Sequence, residues 1–110
     1  SVSRVRLPEF RQYLLDRPDD SLLTLIADDR RFRQPSVRQR NQAYAEAWAL
    51  NYFLIRRYPR EFVAYLKVLS AKSPLVQDEK EQRIAEFKTA FSNDLEKLDA
   101  QFLRFIKRVK

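Results

Sequence analysis

Tyr44, Trp48 and Tyr52 stand four residues apart in the stretch YAEAWALNYFL, with Asn51 beside the last of them. Four-residue spacing puts all three rings on one face of a helix. Such a ladder can line a groove that stacks on a peptide or a sugar. It can equally be the core of a helical domain, the commoner outcome for aromatics at this spacing. The phenol hydroxyls and the indole N–H need partners wherever they are buried. Asn51 lies among apolar neighbours, and burying its amide unpaired would cost about 1–3 kcal/mol. A hydrogen bond between helices is the expectation for Asn51, ahead of a ligand contact.

A second candidate is the run of arginines Arg30, Arg31, Arg33, Arg38 and Arg40 around Phe32. Guanidinium groups clamp phosphate and stack on bases, so this is a candidate anion-binding patch. Asp28 and Asp29 adjoin it, and no set of aromatics forms a stacking platform. A solvated or interdomain charged surface is therefore the simpler expectation, and nucleic acid the less expected partner. The carboxylates that could do acid–base work are Glu46 and the run Asp78, Glu79, Glu81. Negative charge at a helix N-terminus accounts for the run, and an exposed strip on its helix accounts for Glu46. No catalytic residue is expected.

The chain has no His, no Cys and no Gly. Without His and Cys the usual zinc sites and the Ser–His and Cys–His nucleophile pairs cannot be assembled. Without Gly there is neither a Walker loop nor a dinucleotide-binding fingerprint. No metal or cofactor is expected in this chain, which does not read as a complete enzyme. Its net charge of +7 invites acidic partners through non-specific electrostatics.

The elements that must position these residues are helical. With 110 residues, 45% of them hydrophobic, the chain suits one domain with one core. The spacing predicts an all-α fold, a compact bundle of five to six helices around a central apolar helix at about 36–58. The others fall at about 8–16, 21–27, 59–71 and 78–91, with a last helix from about residue 95. Ser36 is the expected N-cap of the central helix, Asp94 or Asn93 that of the last, and Asp20 or Ser21 that of the second. Pro59 ends the central helix and opens the next one. There Phe62, Val63, Leu66 and Leu69 are the expected inward stripe, with Tyr65 at its edge. KSPLVQ is the connection to the fifth helix, which turns Ile84, Phe87 and Phe91 inward. The basic end RFIKRVK suits a helix C-terminus. The apolar run from Tyr44 is too short to span a bilayer.

YAEAWALNYFLIRRYPREFVAYLKVL resembles the motif Tyr-Ala-x-(Ala/Ser)-Trp-(Ala/Ser)-Leu followed by a helix of the type x-Phe-x-x-Tyr-Leu. Phe87, Ala90, Phe91, Asp94, Leu95 and Leu98 follow a second motif, Phe-x-x-Ala-Phe-Gly-x-Asp-Leu-x-x-Leu, with Ser92 in place of its Gly. Both belong to a family of uncharacterised bacterial proteins whose fuller members are similar to gluzincin (thermolysin-like) zinc peptidases. In those members a His-Glu-x-x-His helix supplies two zinc ligands and a general base, and a later Glu supplies the third ligand. None of these maps onto this chain. The resemblance implies that residues 1–110 form the helical C-terminal lobe of a longer, exported or cell-envelope protein. That lobe would pack against an N-terminal catalytic lobe that carries any zinc. The alternative is a stand-alone basic helical module that binds nucleic acid or a protein partner.

Overall fold

Ser36 opens the longest helix of the molecule, its Oγ accepting the backbone N–H of Gln39 at 3.2 Å. Tyr58 closes that helix with φ −133° and ψ 54°, and Pro59 starts the next one in the position where its missing N–H costs nothing. The computed structural model describes residues 2–73 and 78–110. Among these the fold is all-α: α1 (Arg6–Tyr13), α2 (Ser21–Ala27), a 3-10 turn (Arg30–Arg33), α3 (Val37–Arg57), α4 (Pro59–Ser70), α5 (Lys80–Ala90) and α6 (Leu95–Arg108). The predicted connection KSPLVQ lies outside the described residues from position 74 to 77.

α3 is central because it packs against α1, α2, α4, α6 and the 3-10 turn. Ala43, Ala45 and Ala49 are fully buried along it, and side chains this small let neighbouring helices come close. The core is largely aromatic. Phe10 of α1 stacks on Phe102 of α6 with ring centres 5.4 Å apart, and Phe53 of α3 meets Phe102 at 5.6 Å. On α6, Leu98, Phe102 and Ile106 recur every four residues and are buried.

Asp94 caps α6, accepting the N–H of Lys97 at 3.0 Å. Asp94→Ala should cost about 1 kcal/mol, seen as a fall in the thermal midpoint of roughly 4–8 °C by circular dichroism. Asp94→Asn should retain most of the stability. Equal losses for the two substitutions would deny the cap its role.

Two expectations are corrected. The first helix begins at Arg6 rather than Pro8, because Ser3 Oγ accepts the Arg6 N–H at 2.9 Å. It gives way after Tyr13 to tighter bonds, Leu15 to Gln12 and Asp16 to Tyr13, ahead of Pro18. The larger correction concerns α4. Val63, Leu66 and Leu69, expected to face inward, are 52%, 47% and 40% exposed, and no residue of α4 is buried. Among the described residues α4 rests chiefly on α3 and α5, with Tyr65 against the rings of Phe87 and Phe91. Val68 and Ile55 are about as exposed as Val63. No helix among the described residues is long and apolar enough to cross a membrane.

Candidate functional site

The aromatic ladder of α3 divides into two parts. Trp48 and Tyr52 stack at 5.3 Å, Tyr52 tilts onto Phe105 of α6 at 5.9 Å, and the Arg56 guanidinium lies 5.1 Å from the Tyr52 ring centre. Tyr44 sits apart from them, against Phe32 at 5.0 Å with Arg6 over its ring, and is 46% exposed. Trp48, Asn51, Tyr52, Ile55 and Arg56 line a shallow cleft of about 470 Å³. Asn51 is exposed on this outer face, open to solvent and not buried between helices as expected.

Four of the five arginines have different polar partners, although Arg31 and Arg38 line one cleft. Arg30 pairs loosely with Asp28 at 3.6 Å, and Arg38 with Asp16 at 3.7 Å. Arg40 donates to the carbonyls of Gln34 and Pro35 at 2.7 and 3.0 Å, and Arg33 is exposed. The backbone N–H of Arg30, with the charges of Arg30 and Lys80, holds the Asp28 carboxyl below its usual range. Arg31 turns inward.

There it meets Glu46, which is fully buried on α3 rather than part of an exposed strip. Glu46 Oε1 accepts from Arg31 at 2.7 Å and from the Ser21 hydroxyl at 2.6 Å. Its Oε2 accepts from Nε and Nη2 of Arg17 at 3.1 and 2.7 Å. Arg17 also clamps both carboxylate oxygens of Asp99 on α6, at 3.0 and 2.7 Å. Tyr13 of α1 donates to Ser21 Oγ at 2.8 Å and accepts from Arg31 at 3.2 Å. Ser21 is thereby a member of this network instead of the side-chain cap of α2.

Two guanidinium groups and two carboxylates balance in charge and join α1, α2, the 3-10 turn, α3 and α6. Burial works against the charge on Arg17, but the hydrogen bonds and charges of Asp99 and Glu46 outweigh it and raise its pKa. With four donors upon it, the Glu46 carboxylate has no free lone pair aimed at a substrate, so its role is to hold elements together. The signal for it stood in the sequence: a carboxylate on a helix apolar nearly all round must be paired. What the sequence lacked was any indication that Arg17, Arg31 and Asp99 would be the partners.

The remaining acids sit as helix-terminal charge does. Asp78 pairs with Lys72, which also holds Glu86, while Glu79 and Glu81 are exposed at the start of α5. No group of three or more acidic residues among those described is placed to hold a metal ion.

No curated protein and no solved structure matches the chain. One family model does, over residues 1–76, the stretch that holds α1 to α4, the inward-turned arginines and the α3 aromatic face. The chain belongs to that family, described as protein of unknown function (DUF1570).

Proposed function

We propose that the chain is a non-catalytic helical lobe of a longer zinc metallopeptidase-like protein, one that packs against a catalytic lobe and helps to wall its cleft. The observation that carries the reading is α4. It has no buried residue, and Val63, Leu66, Val68 and Leu69 are each 40% exposed or more. Exposed apolar side chains concentrated on one helix suit a surface that another body covers. The stacked Trp48–Tyr52 pair and its shallow cleft supply the stretch of wall. The zinc-peptidase part of the reading rests on the motif resemblance over residues 44–66 and 87–98, since the family description names no activity. Zinc, its ligands and the general base would come from the catalytic lobe, because this chain has neither His nor Cys.

The absence of Cys makes a clean test available. Leu66→Cys introduces a single thiol on the exposed face of α4. In the 110-residue chain it should react with a maleimide at the rate of an open thiol. In the native polypeptide of the source cell carrying the same substitution, reaction should slow roughly tenfold or more, and that polypeptide should contain a His-Glu-x-x-His helix. Equal rates in the two, or a native polypeptide without that helix, would sink the reading.

A further inference from the structure

The C-terminal ends of α3 and α6 enclose a cleft of about 440 Å³ lined by Arg57, Tyr58, Gln101, Arg104, Phe105 and Arg108. Three arginines converge there, and among the described residues none of them has a carboxylate within 4.0 Å. Arg17, Arg30, Arg31 and Arg38, by contrast, each have at least one.

Basic residues at helix C-termini are ordinarily explained by the macrodipole. That explanation is already taken at α6. Arg11, arriving from α1, donates to the carbonyls of Ile106 and Val109 and so supplies the positive charge at this helix end. Arg104 also lies a full turn inside α6, where the dipole effect has faded. At the end of α3 the Leu54 carbonyl is met by the Tyr58 N–H. Arg104 is thus surplus to capping, while Arg57 stands in the last turn of α3.

The other groups of the cleft make it one-signed. The Tyr58 hydroxyl donates to Gln101 Oε1 at 2.8 Å, which occupies one lone pair of the amide oxygen and leaves its two N–H donors. The Arg57 guanidinium lies 5.4 Å from the centre of the Phe105 ring, a contact that orders it without neutralising it. What remains open around the cleft is therefore mainly donors, three of them cationic.

We infer that this cleft binds a doubly charged phosphoryl group, as free phosphate or as a phosphate monoester. A carboxylate is satisfied by a single guanidinium fork. Three forks and a surplus of positive charge match a dianion with three equivalent oxygens. The inference stands apart from the peptidase-lobe reading and from the dispersed Arg30–Arg40 run.

The test is calorimetric titration of the 110-residue chain at low ionic strength with inorganic phosphate, phenyl phosphate and a short thymidine oligonucleotide. Saturable one-to-one binding of the first two is expected. Phenyl phosphate should bind more weakly as pH falls through its second ionisation, at about 6 for phosphate monoesters. Arg57→Gln and Arg104→Gln should each weaken binding roughly tenfold, the scale of one charged hydrogen bond. Arg38→Gln removes the same charge from an exposed site elsewhere, and should change it less than about twofold. Lack of saturable binding would overturn the inference. So would an Arg38→Gln loss equal to that of Arg104→Gln, which would mean diffuse electrostatics. Tighter binding of the oligonucleotide than of phenyl phosphate through Arg57 and Arg104 would also overturn it, in favour of a phosphodiester chain.

Discussion

Replacing Glu46 with Ala should destabilise the protein by about 3–5 kcal/mol, the range seen when one partner of a buried ion pair is removed. The side chain is fully buried, and four donors from Arg17, Arg31 and Ser21 converge on it. Without it Arg17 keeps only Asp99, Arg31 loses its carboxylate, and two positive charges face each other across a cavity. Domains of this size are stable by about 5–15 kcal/mol, so the loss is a large share of the total. The thermal midpoint should fall by on the order of 15 °C or more. Urea unfolding followed by the fluorescence of Trp48, the single tryptophan, gives the free energy directly. The double change Glu46→Leu, Arg31→Met should be less damaging than Glu46→Ala alone, because it removes an unpaired charge together with its partner. An unchanged midpoint for Glu46→Ala would refute the role assigned to the network.

Phe102→Ala should cost a similar amount, about 3–5 kcal/mol for a large buried aromatic. Phe102 is fully buried, and its ring stacks on Phe10 and tilts against Phe53. It therefore joins α6 to α1 and α3 at once. The Arg17 guanidinium lies 5.8 Å from the ring centre, so a cavity here would also loosen the buried charges. Phe102→Leu, which keeps most of the volume, should cost less than about 2 kcal/mol. Leu66→Ala on the open face of α4 should cost under about 1 kcal/mol. Urea midpoints for the three variants should fall in that order. If Leu66→Ala cost as much as Phe102→Ala, α4 would belong to the core after all.

Much of the helical plan was legible from local chemistry. Ser36 is a capping residue in front of apolar periodicity and caps as expected, and of the two residues offered for α6, Asn93 and Asp94, it is Asp94 that caps. Pro59 cannot continue a helix but can start one, and it does. Leu98, Phe102 and Ile106 follow a four-residue repeat that admits one inward face. α4 shows where such reasoning stops. Its stripe also repeats at helical spacing, but periodicity states only that a face is apolar and cannot say whether anything covers it. The Arg30–Arg40 run illustrates the same limit for charge. Neighbours in sequence, these arginines were sent by the 3-10 turn and the start of α3 to separate partners, with Arg31 alone directed into the core.

Side-chain type, spacing and the absence of His, Cys and Gly determined an all-helical chain lacking the usual zinc and nucleophile chemistry. Those properties depend on contacts within a few residues, which the linear order contains. The tertiary structure decided which charges are buried and which are open, since that depends on residues far apart in the chain. Glu46 meets Arg17 and Arg31, and Arg17 in turn meets Asp99, between residues 15 to 82 positions apart, and Arg57 lines one cleft with Arg104 and Arg108 only because α3 and α6 come together there. A paired carboxylate at the centre and an unpaired arginine cleft at the edge both follow from that packing.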